Sequence, residues 1–105
     1  MTEQEFRAHC ERVMRRIEDA IDASDADVDT TLRESVLELE FGDGATLVVS
    51  ANAALRQIWV AAPSGGFHYR HDGTHWTDTR SGDELFAALG RLIAGHAGVQ
   101  VPLAR

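Results

Sequence analysis

With 105 residues the chain has room for one folded unit, since a second core needs roughly another 50 residues. Hydrophobic residues make up 44% and charged residues 26%, proportions that argue against a disordered tail, and no apolar run approaches the roughly 18 residues of a membrane-spanning helix. The net charge of -7 at pH 7 excludes phosphate backbones and anionic membrane surfaces as good partners and favours cations and basic proteins.

That charge is lopsided. Residues 1–17 carry four Arg and three Glu, residues 18–43 carry ten acids against Arg33 alone, and residues 44–105 carry five Arg and four acids. All basic residues are Arg and none is Lys, which removes the usual phosphate-cradling loop with its lysine. Met1-Thr2-Glu3-Gln4-Glu5 has acids where an export signal has positive charge, and the single Cys10 cannot form an internal disulfide. Both suit a reducing compartment.

In chain order, Thr2-x-x-Glu5 has the form of a capping box and predicts a helix start. Phe6, Cys10, Val13, Ile17 and Ile21 recur at spacings of three and four, so they share one buried face, with Glu11, Glu18, Asp22 and Asp25 opposite. The helix is expected to end between Ala23 and Asp25. Every second residue from Asp25 to Asp29 is aspartate, which predicts an exposed connection. Leu37, Leu39 and Phe41 then alternate with Glu38 and Glu40 in a half-buried strand, Gly42-Asp43-Gly44 turns the chain, and Thr46 to Ser50 returns. Leu55 to Ala61, Phe67 to His71 and His75 to Asp78 predict three further strands separated by Asn52-Ala53-Ala54, Pro63-Ser64-Gly65-Gly66 and Asp72-Gly73. Ser81-Gly82-Asp83-Glu84 has the form of a second capping box, opening a helix with Leu85, Phe86, Leu89, Leu92 and Ile93 on one side. The expected fold is α+β: a two-layer sandwich with two helices on one face of a five- to six-stranded antiparallel sheet.

Catalytic and tight metal sites are hard to build from these residues. Cys10 lies on the apolar stripe of the first helix, and Ser64 sits among turn formers without a recognisable base. His68 and His71 fall on opposite faces of one strand, which separates them as joint ligands, and His9 cannot converge with its neighbour Cys10; His75 lies one turn further on. Asp25-x-Asp27-x-Asp29 begins like a calcium loop, but Thr30 and Val36 stand where that loop needs Gly and Glu. What is left is a carboxylate cluster of Glu18, Asp19, Asp22, Asp25, Asp27 and Asp29, an open oxygen array suited to weak binding of hard cations, iron included, or to a basic protein surface. Trp59 is the second anomaly: alternation puts it with Gln57 on the solvent face, opposite Ile58 and Val60, as interface anchors are.

Gln57-Ile58-Trp59-Val60-Ala61 followed by Pro63-Ser64-Gly65-Gly66-Phe67-His68-Tyr69, then Trp76, Asp78-Thr79-Arg80-Ser81-Gly82 and Ile17-Glu18-Asp19-x-x-Asp22, together resemble the frataxin family in its bacterial CyaY type, over essentially the whole chain. The resemblance implies a cytoplasmic accessory protein of iron–sulfur cluster assembly, without chemistry of its own, that binds Fe²⁺ or Fe³⁺ weakly. It implies that the ridge of Glu18, Asp19, Asp22, Asp25, Asp27 and Asp29 takes iron and, through Glu18 and Asp22 among others, meets the cysteine desulfurase. It also implies that Trp59, with Gln57 beside it, meets the desulfurase and the scaffold protein, the protein itself being a monomer that metal could drive to oligomerise. In bacterial members the acidic run tends to continue where this chain has Thr30 and Thr31, which bears on the number of ions bound.

Overall fold

The computed structural model describes residues 1–103. Thr2 caps the first helix, α1 (Glu3–Asp22): its hydroxyl accepts from the Glu5 N–H at 3.1 Å, and the Glu5 carboxylate accepts from the Thr2 N–H at 2.7 Å. The apolar stripe is buried as expected and gains Met14. At the other end the Ser24 hydroxyl donates to the Ile21 carbonyl at 2.7 Å and accepts from the Ala26 N–H at 3.2 Å, turning the chain out of the helix.

Six strands follow in an antiparallel meander, β1 (Val28–Arg33), β2 (Val36–Phe41), β3 (Thr46–Asn52), β4 (Gln57–Ala62), β5 (Gly65–His71) and β6 (Trp76–Asp78), adjacent in space in chain order. β1 corrects the expected connection, because the aspartate run gives way to strand at Val28. Val28, Thr30 and Leu32 alternate half-buried with exposed Asp29, Thr31 and Arg33, so β-branched threonine fills an inward position where a stronger apolar residue would have signalled the strand. The strand pairs with β2 from Val28↔Phe41 to Arg33↔Val36 and leaves its other side as a sheet edge. Asp29 therefore lies on the sheet rather than in a loop.

The second helix, α2 (Leu85–Ala97), starts later than the expected capping box. The chain first turns through Thr79, Arg80 and Ser81 and comes back to bridge Thr77 at Glu84, and Glu84 is itself the N-cap, its carboxylate accepting from Phe86 N–H at 2.9 Å and Ala87 N–H at 3.1 Å. The Ser81 hydroxyl instead serves the preceding turn, accepting from the Asp83 N–H at 3.2 Å. Both helices cover one sheet face, so that Phe6, Met14 and Ile17 of α1 and Leu85, Leu89 and Ile93 of α2 share a core with Leu37, Leu39, Leu47, Val49, Ile58 and Tyr69. Phe86 and Leu92 are only half-buried at the margin of the α2 stripe.

Past α2 the backbone reverses at Gly98, whose φ of 75° suits a residue without a Cβ, and the following segment returns to the core, leaving Val101 3% and Leu103 7% exposed. Three residues carry no period by which a sequence could announce this. Leu103→Ala is expected to cost about 2–4 kcal/mol, the range for a buried leucine truncated in place. Urea unfolding would register it as a lower midpoint at an unchanged slope; a shift under about 0.5 kcal/mol would show the segment to be dispensable.

Candidate metal and partner surface

The two flanks of α1 carry opposite charge. Glu11, paired with Arg15, and Glu18 line a groove with Leu32 and Glu34 beside the edge strand, which leaves that flank net negative, whereas His9, Arg12 and Arg16 face the β5–β6 hairpin and α2. Towards the C-terminal end of α1 the acidic flank widens into Asp19 and Asp22, both exposed, and then into exposed Asp25, Asp27 and Asp29; Glu18 is half-buried. The last turn of α1 has no basic residue, so its aspartates sit against the negative end of the helix dipole.

The sheet extends this surface. Asp29 lies directly opposite Glu40, and Thr31 opposite Glu38, so the carboxylates of β1 and β2 share the outer face. Asp27 is tied to the β2–β3 turn: the Gly42 N–H donates to its carbonyl at 3.1 Å, and its carboxylate fills the space that a Cβ on Gly42 would need. Glu38 and Glu40 were legible as outward-facing but could be joined to Asp29 only through the register.

None of Glu18, Asp19, Asp22, Asp25, Asp27 and Asp29 forms an ion pair among the described residues; the four pairs there are Glu3–Arg7, Glu11–Arg15, Asp83–Arg91 and Asp43–His96. Nor, among the described residues, do three His, Cys, Asp or Glu side chains converge closely enough to enclose an ion. The donors are all oxygens, spread over an open surface, an arrangement that suits a hard cation keeping most of its water.

Trp59 lies on the same outer face. Rows of paired residues run Thr31–Glu38–Val48–Ala61 and, next to it, Arg33–Val36–Ser50–Trp59–His68, which puts Glu38 about 12 Å from Trp59 at ordinary strand spacing. The indole is half-buried, stacked on His68 at 4.4 Å between centroids and 12° between planes, and its Nε1–H donates to Gln57 Oε1 at 2.9 Å. Gln57, expected as an accessible neighbour, is only 7% exposed, so it reaches a partner only by fixing Trp59. Val36, 42% exposed in the same row, adds an apolar contact that the sequence did not single out.

The remaining candidates divide cleanly. Cys10 is buried, and burial pushes its thiol up to about 12, so it is not a thiolate near neutral pH. Ser64 lies exposed in the β4–β5 turn with no base hydrogen-bonded to it among the described residues. His68 and His71 do take opposite faces: His68 stacks on Trp59, while His71 stands 5.0 Å from the His9 ring and 5.0 Å from Trp76. The meeting of His9 with His71 was not foreseen, since the two are distant in sequence.

Helix, six-strand meander and helix, with an acidic edge and an aromatic on the outer face, define a frataxin-like α+β protein, and the Frataxin-like domain family model matches residues 1–99. The chain belongs to the frataxin family, in its bacterial CyaY type. It is 44% identical to the iron-sulfur cluster assembly protein CyaY of Cupriavidus metallidurans, over 98% of this chain and 96% of that one. It is 48% identical to the protein of that name from Bordetella petrii, over 96% of each. The solved frataxin of Psychromonas ingrahamii superposes with a TM-score of 0.95 at 32% identity, covering 100% of both chains. A trimeric yeast frataxin complexed with ferrous iron shares the fold, with a TM-score of 0.66 at 22% identity over 92% of this chain and 86% of that one.

Proposed function

We propose that this protein is a cytoplasmic iron-binding accessory factor of iron–sulfur cluster assembly. Glu18, Asp19, Asp22, Asp25, Asp27 and Asp29 collect Fe²⁺ or Fe³⁺ and, with Glu38 and Glu40, dock on a basic surface of the cysteine desulfurase. Trp59, fixed by His68 and Gln57, anchors the complex with the desulfurase and the scaffold protein. The observation that carries this reading is the carboxylate surface without cationic partners among the described residues, which runs from α1 past the β1 edge to Asp29, Glu38 and Glu40 on the sheet face that bears a half-exposed tryptophan. The assembly names of the CyaY relatives and the ferrous complex of yeast frataxin support it.

The mechanism is electrostatic. An open array holds iron loosely enough to release it, and a bound cation changes the charge that the desulfurase meets, so the two ligands compete or cooperate through one surface. A second reading, an adaptor of the desulfurase in which iron is incidental, is favoured by the lack of an enclosing ligand set among the described residues. Desulfurase affinity measured with and without ferrous iron separates them. A several-fold change, together with iron-induced broadening of the NMR signals of Asp19, Asp22 and Asp25, supports the metal-coupled factor; identical affinities leave the adaptor.

A further inference from the structure

On the flank of α1 away from the acidic edge lies a half-open groove of about 270 Å³, bounded by α1, the β5–β6 hairpin and the start of α2. Five groups able to carry positive charge line it: His9, Arg12 and Arg16 from α1, and His71 and His75 from the hairpin. Spacings of three and four residues stack the α1 groups on one helix side, and the His9 and His71 rings lie 5.0 Å apart. Neither arginine forms an ion pair among the described residues; Arg16 lies over the Phe86 ring at 5.2 Å, which holds its guanidinium at the groove.

The acids nearby are already engaged with backbone N–H groups. Glu84, the one carboxylate lining the groove, accepts from Phe86 and Ala87. Asp72 in the hairpin turn accepts from Thr74 and His75 at 2.8 and 2.7 Å, and Glu5, one turn back on α1, accepts from Thr2 at 2.7 Å. The permanent charges of Arg12 and Arg16 are crowded on one side of α1 with no ion-pair partner among the described residues, and their mutual repulsion is relieved when something negative occupies the groove.

The geometry points to this groove as a binding site for a small multivalent oxyanion, a phosphate or a polycarboxylate, held by Arg12 and Arg16 and closed over by His9, His71 and His75. The arginines supply permanent charge and forked donors for paired oxygens. His9 makes occupancy depend on pH. His9 is held below the ordinary histidine range by partial burial and by the Arg12 and His71 charges, against a weaker pull from Glu5, so it is neutral in the free protein at neutral pH. A bound anion raises that value again. Protons are taken up on binding, and affinity increases as pH falls through the histidine range.

NMR-monitored titrations with inorganic phosphate, pyrophosphate and citrate, against sodium chloride at matched ionic strength, test this. Saturable shifts confined to the side chains of His9, Arg12, Arg16, His71 and His75 are expected, with an affinity for the fully ionised form of each anion about tenfold higher near pH 5.5 than near pH 8, the effect of raising one histidine by about one pKa unit. Arg12→Gln combined with Arg16→Gln should abolish saturation, and exposed Arg12→Gln alone, which touches no core, should weaken it severalfold. Three results overturn the proposal: shifts no larger than those given by chloride, binding that survives the double substitution, or a groove that answers to zinc alone through its histidines and to none of the anions.

Discussion

Replacing Asp22 and Asp25 together by Lys is expected to abolish saturable iron binding and desulfurase pull-down while raising, rather than lowering, the melting temperature. The two substitutions reverse charges in a stretch where ten acids face Arg33 alone. Asp22 closes the last turn of α1, where a carboxylate opposes the helix dipole and a lysine would complement it. Both aspartates are exposed and neither has a cationic partner among the described residues, so no folded-state contact is lost. The melting temperature should increase by about 2–6 °C at low salt, and the gain should shrink as salt screens the cluster. A double variant that still titrates iron and still captures the desulfurase would remove the ridge from the mechanism. One that loses both functions but also melts earlier would mean that the carboxylates support the fold, contrary to their exposure.

Trp59→Ala is expected to weaken the complex with the desulfurase and scaffold by about 30-fold or more, the scale of a central aromatic anchor. Its cost to the fold should be modest but measurable. The indole loses its stack on His68 and its hydrogen bond to Gln57, each worth about 1 kcal/mol, so a loss of about 1–2 kcal/mol is expected in urea unfolding. Trp59→Phe keeps an aromatic ring on His68 but removes the N–H and part of the ring area, so it should recover part of the partner affinity if an aromatic face is what anchors. A loss of more than about 4 kcal/mol with unchanged partner binding would make Trp59 a packing residue and nothing more.

How far the sequence could be read depended on how local the determining interaction was. The start of α1 was legible because Thr2 and Glu5 satisfy each other within one turn, and β2 because Leu37, Leu39 and Phe41 alternate strictly with acids. β1 was hidden by threonine at an inward position and by the aspartates before it. The start of α2 was misplaced because Ser-Gly-Asp-Glu serves equally as a turn, and only the bridge of Glu84 to Thr77 decides where the helix begins. Within the candidate site, the acidic excess was legible as charge, but joining Asp29 to Glu38 and Glu40 required the pairing of β1 with β2. Alternation likewise gave the side of Gln57 but not its depth, which comes from neighbouring side chains closing over it. The approach of His9 to His71 comes from helix-on-sheet packing and has no local signature.

The open margin of β1 carries one more consequence. A strand with one unpaired side is a template for another copy of itself, and repulsion between like charges is among the means by which such templates are kept apart. Asp25 and Asp27 lead into this strand, Asp29 lies on it and Glu34 follows it, against Arg33 alone, so two copies approaching edge to edge would bring an excess of negative charge together. The same carboxylates thus guard against aggregation.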